Sequence, residues 1–489
     1  MNKQIRRLGI AMIALFTILF AQLNYIQVFH QKTLNDDPRN SRKIVEEFSR
    51  PRGRIISADG TVLARSKKSK DQFKFQREYP EKDLFGQVTG YFNFNFGATG
   101  LEASYGDELS GQTPEIDIHK LADLFVDNED VADLTITIRK DVQQAARDAL
   151  GNQAGSVVAL DPRNGSILAF WSNPSFDPNP LSTHAKSASQ VKALLEAAPS
   201  KPLLPKMYRE LFFPGSTFKV VTGSIGVDDG LVTPQQPVYP VKTSYDIDFT
   251  NDDLSNFGGE ACGGALFDIL RVSCNSAFAE MGDKTIGAQR MVEGAERFGF
   301  NQRPPIDLPA AASSKFPTEF PKNQGNGPIA RASIGQGDTS ATPLQMALVA
   351  AAIANQGTIM EPHLLAKLTD TDGRTLHSAE TKVWKHAIQP AAAETMRQAM
   401  LGVVQSGTAT RLAIPGFEVG GKTGTAQLGT EPPKSHAWII GFAGKQGQAP
   451  QVAIAVIVES QPGVSEATGG RVAAPIAQAV MAKILQTQG

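Results

Sequence analysis

Ser216 and Lys219 stand three residues apart in Phe213-Pro214-Gly215-Ser216-Thr217-Phe218-Lys219, at the head of an apolar run. A serine hydroxyl is a weak nucleophile at its free pKa and needs a base within reach. A lysine amine can be that base if it spends time uncharged, which burial and neighbouring cations both favour. Downstream lie Ser273-Cys274-Asn275, then Lys422-Thr423-Gly424-Thr425 ahead of strand-like sequence. In this order the three segments describe serine acyl transfer with a lysine handling the proton.

In that chemistry Ser273 relays a proton, and the Asn275 amide orients Lys219 and a substrate carbonyl. Lys422 supplies positive potential, and Thr423 binds a substrate carboxylate. Gly424 removes side-chain bulk beside a strand edge so that an extended peptide can approach. The backbone amides of Ser216 and Thr425 face the developing oxyanion. Each segment alone has a plainer reading. Ser216 can cap the following helix beside a surface lysine, Ser273 and Asn275 can be turn residues, and residues 422–425 can be an edge turn or an anion site.

These segments need a scaffold that spans much of the chain. Val157-Val158-Ala159-Leu160 and Ile167-Leu168-Ala169-Phe170 flank Asn164-Gly165, the signature of a hairpin. Two further strands follow around Trp438 and Val456, and a terminal helix covers about residues 474–485. The expected architecture is mixed α/β: one antiparallel sheet built from both ends of this region, with a helical insertion between them. Ser216 belongs to the insertion and Lys422 to the late strands, so the cleft should lie where the two layers meet. A smaller module precedes it, with a hairpin at Asp59-Gly60. The division expected is residues 1–30, 31–145 and 146–489.

Residues 8–29 carry no charge and follow Lys3, Arg6 and Arg7. That stretch spans roughly 30 Å as a helix, enough for a bilayer core. The basic flank favours a cytoplasmic amino terminus, a single pass through the cytoplasmic membrane and an exported body, a cleaved signal peptide being the alternative. Export permits a disulfide between Cys262 and Cys274, two buried free thiols being the alternative. A formal net charge of -1 on 489 residues argues against nucleic acid as a partner. His436 reads as a loop histidine or a residue lining the acceptor side. Lys434 reads as a surface residue, and Asp228-Asp229 as a helix end.

The three segments resemble the motifs of penicillin-binding proteins and serine β-lactamases, and more closely those of class B, monofunctional penicillin-binding proteins of the actinobacterial penicillin-binding protein A type. The resemblance continues in Arg52-Gly53-Arg54-Ile55, Gly100-Leu101-Glu102, Gly335-Gln336-Gly337 and His436-Ala437-Trp438. It implies a transpeptidase-like domain behind a non-catalytic module and a membrane anchor. The implied activity is D,D-transpeptidation: Ser216 is acylated by a D-Ala-D-Ala stem peptide and an amine then takes the acyl group. Lys219 would be the base, Ser273 the relay, Asn275 the positioning group, and Lys422 and Thr423 would hold the terminal carboxylate. β-Lactams would acylate the same serine, and no metal or organic cofactor is required. The implied partners are peptidoglycan stem peptides, the membrane and division or elongation proteins. A D,D-carboxypeptidase, a β-lactamase-type hydrolase and a membrane-bound β-lactam sensor or scaffold stand as alternatives. Residues 31–145 are too short for a glycosyltransferase domain.

Overall fold

The computed structural model describes residues 2–29, 48–71, 73–112, 131–250, 253–462 and 469–488. Residues 31–47, 72 and 113–130 of the expected amino-terminal module therefore lie outside the described residues. The chain forms two compact units, Met1–Pro51 with Ser66–Gln76, and Arg52–Arg65 with Arg77–Gly489. The first unit holds one long helix, α1 (Asn2–Phe29). Its stretch Lys3–Ile26 is long and apolar enough to cross a membrane, and its large side chains are exposed.

The second unit is organised by two sheets. In the first, β1 (Ile55–Ile56) runs antiparallel to β2 (Val62–Lys68), with Gly60 at φ +82° in the intervening turn. β1 also pairs parallel with β3 (Asp133–Ile136). α2 (Lys140–Leu150) follows and buries Val142, Ala146 and Leu150, four residues apart along one face. This helix runs unbroken through residues 145 and 146, where the sequence suggested a boundary.

The second sheet begins with β4 (Gly155–Leu160) and β5 (Ile167–Asn173). Between them Gly165 turns at φ +86°, and its hydrogen faces the Glu361 carbonyl where a Cβ would come within 2.1 Å. The chain then enters the helical insertion. This contains α3 (Lys219–Asp228) and α4 (Pro343–Ala354), whose twelve residues are all buried. Thr342 caps α4, its hydroxyl accepting from the Gln345 amide at 3.1 Å, with proline in the first turn.

After α4 the chain leaves this layer. β6 (Leu365–Thr369) pairs antiparallel with β3, and β7 (Thr375–Ser378) pairs with β6. The first sheet thus takes strands from opposite ends of the sequence. The chain returns through β8 (Phe417–Gln427), β9 (Lys434–Lys445), β10 (Val452–Pro462) and the terminal helix α5 (Ala474–Gln488).

The second sheet is antiparallel in the order β8-β9-β10-β4-β5. Strands from both ends of the region meet at β10 and β4, as the hydrophobic runs indicated. β4 and β9 are buried on both pleated faces except at the ends of β9, which explains their continuous rather than alternating apolar sequence. α4 packs against β4, β9 and β10, while α2 and α5 pack on each other and on the same sheet. β8 is left as the edge strand beside the insertion.

Candidate active site

The middle motif shows how the fold holds reactive groups. The helix Leu266–Arg271 ends when the Cys274 amide bonds back to the Ile269 carbonyl (2.9 Å) and the Ser273 amide to Leu270 (3.2 Å). That pair of bonds demands a left-handed residue just past the helix, a place glycine usually fills. Here Ser273 fills it at φ +63°. A side chain in this conformation costs about 1–2 kcal/mol, so the hydroxyl is retained against the local preference. Cys274 is joined to Cys262 by a disulfide with its Cα atoms 5.8 Å apart, tying the motif to the strand Cys262–Gly264. Asn275 then opens the helix Asn275–Glu280.

The first motif sits on a turn clamped from three sides. The Trp438 indole donates to the Phe213 carbonyl (3.0 Å), the Gly215 amide donates to Gly335 (2.9 Å), and the Thr217 hydroxyl donates to Pro214 (2.7 Å). Gly215 has φ +53°, and a Cβ there would lie 2.6 Å from the Thr425 carbonyl. Gly215–Phe218 forms a 3₁₀ turn that leads into α3 at Lys219. Ser216 is therefore part of the turn and does not cap the helix with its side chain. With three residues per turn, Ser216 and Lys219 eclipse one another, and both are buried.

Lys219 has three donors to place, and its Nζ reaches the Ser273 carbonyl (2.7 Å), the Ser273 hydroxyl (3.2 Å) and Asn275 Oδ1 (2.6 Å). The Asn275 amide nitrogen donates the other way, to the Ser255 carbonyl (3.0 Å), which fixes the side chain's orientation. The Phe278 ring lies 5.8 Å from Lys219 Nζ.

Lys422 enters from β8, its Nζ donating to Ser273 Oγ (2.8 Å) and to the Thr423 carbonyl (2.9 Å). One hydroxyl therefore accepts from two lysines, using both of its lone pairs. Strand alternation puts Gly424 on the same side as Lys422. A Cβ on Gly424 would come within 2.8 Å of Thr217 and 3.0 Å of the Pro214 carbonyl. The space assigned to an approaching peptide by sequence is thus taken by the Ser216 turn itself. Thr423 shares a 2.6 Å hydrogen bond with the Thr408 hydroxyl. Thr425 lies along the free side of β8, where a cavity of about 440 Å³ is lined by Asn275, Gln427, Gln336 and Arg331.

The structure thus brings together residues from 216 to 425 that sequence singled out, and adds Thr408. A lone threonine gave no signal, and Gly335, noted in the sequence within Gly335-Gln336-Gly337, takes its role from the Gly215 amide whose hydrogen bond it accepts across the fold. His436 is not on a loop: it lies in β9, packs edge-on against Phe212 at 5.3 Å and accepts from the Ser460 amide at 3.1 Å. Burial lowers its pKa to about 4, the nearby Glu210 opposing that shift. Lys434 is exposed, and Asp228 and Asp229 pair with Arg297 at the end of α3.

A family model for the penicillin binding protein transpeptidase domain matches residues 155–482, and one for the penicillin binding protein A dimerisation domain matches residues 52–133. The chain belongs to the penicillin-binding protein transpeptidase family. Within it, the chain is 37% identical over 500 residues to the peptidoglycan D,D-transpeptidase PbpA of Mycolicibacterium smegmatis, covering 99% of each. PbpA of Mycobacterium tuberculosis is 36% identical over 504 residues, again with 99% of each covered. The crystal structure of the M. tuberculosis protein superimposes with a TM-score of 0.81 at 34% identity, covering 89% of this chain and 99% of that one. The penicillin G acyl-enzyme complex of penicillin-binding protein A from M. tuberculosis gives 0.80 at 33% identity, covering 90% and 100%.

Proposed function

We propose that this chain is a peptidoglycan D,D-transpeptidase of the penicillin-binding protein A type. Its serine is acylated by D-Ala-D-Ala stem peptides and by β-lactams. The observation that carries the residue assignment is the bridging of Lys422 by Ser273 Oγ to Lys219, which itself stands one 3₁₀ turn from Ser216. Ser216 Oγ attacks the penultimate carbonyl as Lys219 takes its proton. The oxyanion meets the Ser216 and Thr425 amides, and Lys422 and Thr423 hold the terminal carboxylate. Ser273 passes a proton to the departing D-alanine nitrogen, so the amide bond breaks and the seryl ester remains. An amine from a second stem then forms a new amide and returns the proton to Ser216. In a β-lactam the departing nitrogen stays tethered to the acyl group and blocks that second attack.

We assign α1 as a single-pass anchor in the cytoplasmic membrane, with the catalytic part outside. Its length, its apolar surface and the flanking Lys3, Arg6 and Arg7 support this, as does a disulfide, which persists in oxidising compartments. The working division remains an anchor (1–30), a module (31–145) that meets division or elongation proteins or a second copy, and a transpeptidase domain (146–489). The dimerisation-domain match supports the role given to the module. The deciding experiment incubates the full-length protein with a D-Ala-D-Ala stem peptide and an amine acceptor. Mass spectrometry should find an ester on Ser216 and a cross-linked product. Ester formation followed only by hydrolysis would reassign the chain as a carboxypeptidase or β-lactamase-type hydrolase.

A further inference from the structure

The helix Pro390–Ser406 stops where the Gly407 amide (3.1 Å) and the Ala409 amide (3.2 Å) both return to the Val403 carbonyl. That double return fixes the backbone on either side of Thr408. Gly470 closes on it from the other direction: a Cβ there would come within 2.3 Å of the Thr408 carbonyl and 3.5 Å of Thr423 Cγ2. Held in this way against β8, Thr408 brings its hydroxyl 2.6 Å from that of Thr423. Thr423 is wholly buried, whereas Thr408 is half-buried and lines a cavity of about 560 Å³ that also reaches Ser273.

A hydroxyl carries one proton and two lone pairs, so in the free protein either threonine can donate across this bond. A carboxylate only accepts. Once the terminal carboxylate of the donor is in place, Thr423 must give its proton to it. Thr423 Oγ1 is then a buried acceptor in need of a donor, and the Thr408 hydroxyl is already in reach. The neighbouring Lys422 Nζ is directed instead at Ser273 Oγ and at the Thr423 carbonyl. Protons in the row Thr408, Thr423, carboxylate then all point one way, and each bond of such a row polarises the next.

We propose that Thr408 is a positioning residue for the donor: it donates to Thr423, and so aims the Thr423 proton at the terminal carboxylate of a stem peptide or of a β-lactam. The inference rests on the transpeptidase reading and adds to it a residue outside the three motifs. It also gives the pair a selectivity, because a charged oxygen accepts more strongly than the oxygen of a neutral carboxamide.

The test compares penicillin G with its carboxamide as acylating agents of the full-length protein, with the ester on Ser216 followed by mass spectrometry. Wild type should react with the acid more than about tenfold faster than with the carboxamide. T408V should lose about tenfold of that preference, all of it in the rate with the acid, and T408S should keep it because the hydroxyl remains. A packing fault at this position would slow both compounds alike and leave their ratio unchanged. T423V should lose the same preference, and T408V/T423V should match T423V to within about twofold, since Thr408 acts through Thr423. An unchanged or increased preference in T408V overturns the positioning role, as does a further loss when T408V is added to T423V. Either result leaves the acyl-enzyme intact. Absence of any ester on Ser216 in wild type overturns the transpeptidase reading and the role of Thr408 with it.

Discussion

Two clusters of buried charge in this molecule are built on opposite plans. In the amino-terminal part of the second unit, Glu102 is wholly buried between Arg52 and Arg77, each 2.7 Å away, and also accepts from the Tyr79 hydroxyl at 3.2 Å. Burial alone would raise its carboxyl pKa, but Arg77 and Arg52 together hold it below the usual value. In the cleft, Lys219 and Lys422 converge on one hydroxyl, and the oxygens of Ser273, Asn275 and Thr423 that they bond are neutral. Their amines are no more than about 6 Å apart, a separation at which like charges disfavour each other. The first plan fixes charge in place and rigidifies. The second favours the loss of a proton from one amine, which is the condition for a lysine base.

If that contrast is right, the largest effect belongs to the nucleophile. Ser216→Ala should abolish penicillin G acylation, by at least about a thousandfold in rate, while leaving the melting temperature within a few degrees. A covalent adduct surviving in this variant, seen by mass spectrometry, would remove Ser216 from the mechanism. Glu102→Gln should do the reverse. It leaves two buried arginines facing each other, at about 3–5 kcal/mol of stability, with the acylation rate per folded molecule unchanged. A loss under 1 kcal/mol in denaturant unfolding would show that the Arg-Glu-Arg cluster is not a structural anchor.

Ser273→Gly separates the two plans within a single residue. Relieved of its left-handed side chain, the protein should be as stable as wild type or more so by about 1 kcal/mol, yet acylate about a hundredfold more slowly for want of the shared hydroxyl. Ser273→Ala should lose the same activity without the gain in stability, and equal unfolding midpoints for both variants would contradict the strain argument. The smallest effect concerns acid. With its pKa lowered to about 4, His436 is held neutral in the fold while the unfolded chain takes up its proton near pH 6.5. Its contribution is complete above that pH and is lost as pH falls towards 4, at most ~3 kcal/mol. Glu102, with a depressed carboxyl, adds a further loss below the ordinary carboxylate range. His436→Gln should flatten the upper part of this curve in melts from pH 7 to 4.

Much of the cleft was legible because its chemistry lies in short segments. Serine and lysine three apart, and Lys-Thr-Gly-Thr beside apolar strands, are local patterns, and so are the hairpin at Asn164-Gly165 and the runs that became β9 and β10. What could not be read depends on distant residues meeting. Glu102 gave no sign of its arginines because Arg52 and Arg77 are brought to it by the fold. The left-handed turn at Ser273 is set by how the preceding helix ends, and serine is no marker for it. Thr408 matters only because β8 passes it. Gly424 was read as room for substrate, when the neighbour that needs the room is Pro214-Thr217.

The excursion of β6 and β7 has a practical side. Because β6 pairs with β3, and β3 with β1, removing everything before residue 146 would bare a row of backbone amides and carbonyls on β6. Exposed strand edges of that kind recruit one another into aggregates. A truncated version meant for inhibitor screening should therefore start no later than Arg52, and one trimmed to the catalytic stretch alone should come out of the cell insoluble.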